Sequence, residues 1–344
     1  MSMLGLGLAI RRCSAETLPK NRRCFTRSFN AHRLENRLTW CRLLRPTHPE
    51  FKTMHFATRK IALLALGALG IFTTVDVAAA AETAARDPKI LTALRKTPLL
   101  VIGSTGRNGG AITEALEAVG ARPRVLVRDL ARAKEKAGAS AQRDWVVGDL
   151  RDPASLDSAL KGVEVVINAA ATSQMQGDND TAAVDREGTR NLVAAAKRAG
   201  VKRIVFITGM SVYSPPPNMP PPFLKAFADK REAEKILASS GIEYVTLRPT
   251  GILARPAGAW KITLAASPTY KPTVEEQTMR APGTLPPPDA PPPAGTIARA
   301  DLAEVAIVAA VEPRARNRAF IVTQAAEPRG NADWRDQLEK MPSD

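Results

Sequence analysis

The apolar run Leu99-Leu100-Val101-Ile102 enters a glycine-rich turn, Gly103-Ser104-Thr105-Gly106-Arg107-Asn108-Gly109-Gly110, and a helical pattern follows with Ile112, Leu116 and Val119 on one face. Few sequence features limit a fold as tightly. Glycines let a backbone turn sharply and approach phosphates, and the unpaired N–H groups of the next helix's first turn meet negative charge. The spacing is Gly103-x-x-Gly106-x-x-Gly109 rather than the commoner G-x-G-x-x-G. An ordinary glycine-rich strand–helix turn reads the same way in isolation. The alternation that follows favours a nucleotide site.

That alternation is regular. Strands are expected at 124–128, 144–149, 164–168, 203–208, 243–248 and 319–323, and helices at 109–119, 130–137, 152–160, 181–199, 223–239 and 301–311. Gly120, Gly138 and Gly200 stop helices, and Asp152-Pro153 starts one. The strands are apolar on both faces, as buried parallel strands are. Right-handed crossovers then give an α/β fold: a Rossmann-type doubly wound parallel sheet with helices on both faces and a small C-terminal cap region. Two proline-rich stretches, 214–222 and 282–293, interrupt the plan and read as extended surface loops, neither helix nor central strand. The expected organisation is a basic extension over 1–53, a signal-like segment over 54–81, a linker with a short helix over 82–97, a dinucleotide-binding domain over 98–325 with an irregular cap at 252–296, and a tail over 326–344.

Charge and cysteine use narrow the function. The net charge is +15, yet residues 1–53 hold eleven Lys and Arg against three Glu, so about half of the excess belongs to that segment. A nucleic-acid reading of the whole chain loses its support. All three cysteines (Cys13, Cys24, Cys41) lie in the same segment, and the three histidines (His32, His48, His55) also precede the domain. No metal site, thiolate nucleophile or histidine triad is expected in the domain.

Residues 54–81 combine a basic start (Arg59, Lys60), a twelve-residue apolar run from Ile61 to Phe72 and a small-residue end. That is the layout of a secretory signal, too short for a permanent membrane span. A buried N-terminal helix is the alternative. Export to the periplasm is the expectation, with the cytoplasm the alternative if the segment is not used. Residues 1–53 are either an over-extended start or an arginine-rich presequence.

Taken together, the motifs resemble the atypical short-chain dehydrogenase/reductase group, the NmrA-like and NAD(P)H-binding branch that includes biliverdin reductase B-type proteins. The resemblance spans roughly 98–325. It rests on Gly103–Gly109, Val127-Arg128-Asp129, Gly148-Asp149-Leu150, Asn168-Ala169-Ala170, Val184–Leu192, Lys230–Glu234, Leu247–Gly251 and Ile297–Asp301. It implies that Gly103, Ser104, Thr105, Gly106, Arg107, Asn108 and Gly109 hold a pyrophosphate. Arg128 would meet the 2′-phosphate of NADP(H), the preferred cofactor, with NAD(H) possible through Asp129. Asp149 and Leu150 would border the adenine. Asn168, Ala169 and Ala170 would line the ribose and nicotinamide side together with Thr208 and Lys230.

Catalysis is where the pattern departs. Active members of the wider superfamily carry a tyrosine four residues before the lysine, and that position holds Ala226. Tyr213, from the opposite loop, is the substitute candidate beside Lys230. The resulting expectation is an NADPH-dependent reductase of a small planar acceptor, a quinone or flavin, by direct hydride transfer. The alternative is a non-catalytic NADP(H)-binding sensor or scaffold, and a fold that has lost its cofactor is a third reading. Besides the small-molecule substrate no partner is implied, and the oligomeric state stays open.

Overall fold

The computed structural model describes residues 87–138, 142–266 and 290–341. The signal-like segment, the basic extension and most of the second proline-rich stretch lie outside the described residues. Helix α1 (Pro88–Lys96) precedes β1 (Leu99–Ile102), α2 (Arg107–Ala118), β2 (Arg124–Val127), α3 (Leu130–Ala137), β3 (Asp144–Val147), α4 (Pro153–Ala159) and β4 (Val165–Asn168). A π-helical segment, Ala182–Glu187, then leads directly into α5 (Gly188–Ala199). After it come β5 (Arg203–Ile207), α6 (Pro221–Ala238), β6 (Glu243–Pro249), β7 (Gly251–Leu253), β8 (Trp260–Ala266), β9 (Thr296–Ala298), α7 (Arg299–Val311) and β10 (Arg318–Pro328).

The main sheet has eight strands in the order β3-β2-β1-β4-β5-β6-β10-β8, parallel except for β8, which runs antiparallel to β10. Strand order reverses between β1 and β4, so the crevice for a ligand opens beyond Ile102 and Asn168. The pleat divides β1 between two cores. Leu99 and Val101 pack with residues of α1, α2 and α7, whereas Leu100 and Ile102 pack with residues of α4, α5 and α6. All four are buried, which anchors the strand that carries the glycine turn.

The fold departs from the sequence reading at several places. Residues 260–266, read as part of an irregular cap, form edge strand β8, with Ile262 and Leu264 buried. Its alternation suits an edge strand solvated on one face, unlike the all-apolar parallel strands. A separate two-stranded sheet pairs β7 with β9. Pro221 and Pro222, read as loop, open helix α6, where a missing N–H is harmless because the first turn's N–H groups have no intrahelical partner. Within the expected tail, β10 runs to Pro328, and the 3₁₀ segment Trp334–Lys340 buries Trp334 and Leu338. Strand β3 is an edge with Val147 exposed. The helix expected over 181–199 begins as a π-helix instead.

Candidate functional site

The glycine turn is shaped by close approach. Gly103 has φ +84°, and a Cβ there would lie 2.7 Å from Ala170 N and 2.8 Å from Ala169 O. A methyl group on Gly109 would collide with the Gly103 carbonyl, so α2 closes directly onto the turn. Gly106 N donates to Gly103 O at 2.8 Å and caps α2 with no side-chain acceptor over its first turn. Those free N–H groups carry the positive end of the helix dipole. Ser104 Oγ is buried and has no hydrogen-bond partner. An orphaned hydroxyl, an uncapped helix N-terminus and a backbone cradle that no Cβ could share fit a pyrophosphate.

Cations surround the turn. Arg107 is exposed. Asn108 Oδ1 accepts from Arg299 Nε at 3.2 Å. Burial, and then the Arg107 charge, hold the Arg299 guanidinium below its ordinary pKa range, a like-charge arrangement that an anion would relieve. Lys136 Nζ donates to Thr105 O at 2.5 Å.

Among the residues expected to meet the adenosine, Arg128 follows β2 and donates to Asn179 Oδ1 at 3.0 Å on the exposed surface. Asp149 is paired with Arg151 at 2.6 Å, and that hydrogen bond chiefly holds its carboxyl below the ordinary range. Leu150 is buried against Gly188, where a Cβ would come within 2.9 Å of its own Cβ. Asn168 is spent locally: its Oδ1 accepts from Ala170 N at 3.1 Å, which presses residues 169–170 against Gly103. Asn168 therefore shapes the crevice floor by building a turn.

Thr208 and Lys230, expected beside the nicotinamide, line a cavity of about 240 Å³ together with Met210, Phe227, Pro249 and Thr250. Lys230 is the single charged residue among the described residues that line it. Its Nζ lies 2.5 Å from Oδ1 of Asp185, whose side chain is 1% exposed. Burial pushes the Asp185 carboxyl above the ordinary range against the opposing pull of Lys230, and Oδ2 has no partner. Asp185 sits in the π-helical segment.

The two residues expected to share catalysis have different surroundings. Tyr213 does not line the cavity. Its ring stacks on Arg248, with the guanidinium carbon 4.2 Å from the ring centre, and burial, then the Glu234 charge, push its phenol up. Glu234 is itself buried, accepts from Arg248 at 2.5 Å and from Thr208 Oγ1 at 2.6 Å. Tyr213 thus packs within this network, with a cationic face against its ring. Ala226 is 4% exposed and supplies no hydroxyl. Asp185, Glu234, Arg248 and Arg299 all stand in the stretches that carry the family resemblance, but the sequence assigns none of them a role, and their pairing shows only in the fold. Among the described residues no group could hold a metal ion, and no helix is long and apolar enough to cross a membrane.

Comparison with known proteins agrees with this geometry. The sequence profile of a family described as NAD(P)H-binding matches residues 103–313, well over half of the chain. The chain is 28% identical over 253 residues to the uncharacterized chloroplastic protein At2g37660 of Arabidopsis thaliana, covering 67% of this chain and 70% of that one. It is 25% identical over 281 residues to sanguinarine reductase of Eschscholzia californica, covering 69% and 93%. The oxidoreductase ylbE of Lactococcus lactis shares the fold with a TM-score of 0.52 and 16% identity, over 71% of this chain and 96% of that one. With its glycine turn, switch-point crevice and matching profile, the chain belongs to the NAD(P)H-binding family of atypical short-chain dehydrogenases/reductases.

Proposed function

We propose that the protein is an NADPH-dependent reductase of a small planar acceptor of quinone or flavin type. The observation that carries this reading is the placement of Lys230 as the sole charge, among the described residues, in the 240 Å³ cavity beyond the parallel strand ends. The bound nicotinamide would supply a hydride. The chain's own residues do the rest. Gly103–Gly109 and the α2 N-terminus hold the pyrophosphate. Arg128 takes the 2′-phosphate, which favours NADP(H) over NAD(H). Asp149 and Leu150 border the adenine, and Asn168, Ala169, Ala170 and Thr208 shape the path to the cavity.

Lys230 holds a proton at Nζ and presents a positive charge where the acceptor oxygen gains negative charge. Asp185 fixes the direction of that ammonium. A quinone or flavin acquires two electrons across a conjugated ring and tolerates a less acidic donor than a simple ketone does, so the missing tyrosine is compatible with turnover.

A second reading, a dinucleotide-binding sensor without turnover, is favoured by Ala226 alone. The two separate in one experiment. NADPH oxidation is followed with a panel of benzoquinones, naphthoquinones and free flavins, beside NADPH and NADH titrations. The reductase reading requires turnover with at least one acceptor. Tight NADPH binding with no oxidation supports the sensor. The dinucleotide-binding domain over 98–325 and export guided by 54–81 belong to the same proposal, and sequencing the mature N-terminus tests the latter.

A further inference from the structure

Three large hydrophobic side chains are exposed among the described residues: Val147 on edge strand β3, and Phe223 and Leu224, each 42% exposed, side by side in the first turn of α6. The α6 pair stands out because of where the helix goes next. Phe227 and Lys230 both line the acceptor cavity. Phe223, Phe227 and Lys230 follow at i, i+4 and i+7, and Leu224 lies three residues before Phe227, so all four share one helix flank. That flank is apolar outside the cavity and cationic inside it. Pro216, from the proline-rich loop, lines the same cavity.

Resting on the reductase reading above, we propose that the natural acceptor is amphipathic: a flat oxygen-bearing head that meets Lys230, and an apolar tail that leaves the cavity along Phe227 and lies on Phe223 and Leu224. The cavity itself is too small for both parts, and the helix rise separates Lys230 from Phe223 by about 10 Å. An apolar surface left in water at the mouth of a site is stabilised when a ligand covers it. A tail-less acceptor leaves it bare.

The test compares 2,3-dimethoxy-5-methyl-1,4-benzoquinone with its 6-decyl derivative on the full chain. Equilibrium binding is measured without NADPH by tryptophan quenching, and KM is measured with NADPH. Tail contact with two such side chains corresponds to about a ten-fold affinity gain for the decyl compound. Phe223→Ser combined with Leu224→Ser should reduce that gain to about two-fold, on the same scale, while leaving the tail-less quinone and the NADPH affinity unchanged. Val147→Ser, distant on β3, should change neither quinone. Equal affinity for the two quinones in the wild-type chain overturns the proposal, as does a decyl preference that survives in the double variant or falls equally in Val147→Ser. Self-association abolished by the double variant, without a decyl preference, assigns the patch to a second copy and also overturns it. Tail-less turnover with no decyl preference sinks this inference and leaves the reductase reading intact. Absent NADPH binding sinks the reductase reading, and the cofactor-free decyl measurement still decides the stripe.

Discussion

The ammonium of Lys230 lies 2.5 Å from the buried carboxylate of Asp185, although 45 residues separate them. The pair joins the π-helical entrance of α5 to the middle of α6, and it faces the acceptor cavity through Lys230 alone. Removing the lysine strands a charge in the interior. Lys230→Met should destabilise the fold by about 2–4 kcal/mol, because one partner of a buried pair is left uncompensated. The double change Lys230→Met with Asp185→Leu should regain most of that loss in urea unfolding, yet leave quinone turnover abolished. Recovery of turnover in the double variant would refute a role for Lys230 in the reaction.

The glycine turn makes a sharper prediction. A methyl on Gly109 meets the Gly103 carbonyl, whereas one on Gly110 meets Ser104 O at 3.4 Å, an ordinary contact. Gly109→Ala should weaken NADPH binding by at least about ten-fold, since α2 must retreat from the phosphates. Gly110→Ala should bind within about two-fold of wild type, there being no collision to relieve. Calorimetric titration of both variants checks this.

Cofactor preference turns on one arginine. Arg128→Ala should raise the Kd for NADPH about ten-fold or more, through loss of a charge-assisted phosphate contact, and leave NADH little changed. An equal loss for both cofactors would mean that Arg128 supports the fold through Asn179 instead.

Stability should depend on pH through the cluster under α7. Asp301 accepts from Gly258 N at 2.9 Å, Arg329 Nη1 at 3.2 Å and Gln324 Nε2 at 2.6 Å, with Glu304 nearby on the same arginine. Burial raises its carboxyl from 3.8 to about 7. The folded chain therefore binds this proton more tightly than the unfolded chain. The contribution is fully present below about pH 4 and is lost as pH rises towards about 7, with a limiting slope of about 1.4 kcal/mol per pH unit for one proton. Asp301→Asn should flatten that part of the unfolding profile. An unchanged slope would locate the proton elsewhere, with Glu304, also raised by burial, the next residue to replace.

How much of this was legible beforehand depends on what each residue does. Leu99–Ile102 and the glycines declared themselves because burial on both faces and close backbone approach each permit few residue types. Strand β8 did not, since Lys261 and Thr263 alternate with Ile262 and Leu264 between proline-rich stretches, a pattern that also suits a loop. Pro221 and Pro222 misled for a related reason: proline is a breaker in a helix but a starter at its first positions, and only the residues after Phe223 decide which. Within the site, Lys230 and Asp185 both stand in family motifs, but their pairing is not visible in the sequence. Asp185 lies far away in sequence, and a carboxylate inside a helical pattern reads as a solvated face until burial is known. Tyr213 offers a hydroxyl, and no local pattern announces that Arg248 and Glu234 claim its ring and phenol.

The π-helical segment ahead of α5 acts as a phase adjuster. A π-turn holds one more residue than an α-turn, so it rotates everything on one side of it against everything on the other by roughly a quarter of a revolution or more. Downstream, Gly188 and Asn191 keep their fit to Leu150, with Asn191 Nδ2 donating to its carbonyl at 2.9 Å. Upstream, the shifted phase turns Asp185 towards Lys230. A single helical rod thus meets two separate alignments, one at Leu150 and one at Lys230. Deleting one residue there would force the chain to satisfy one contact and abandon the other.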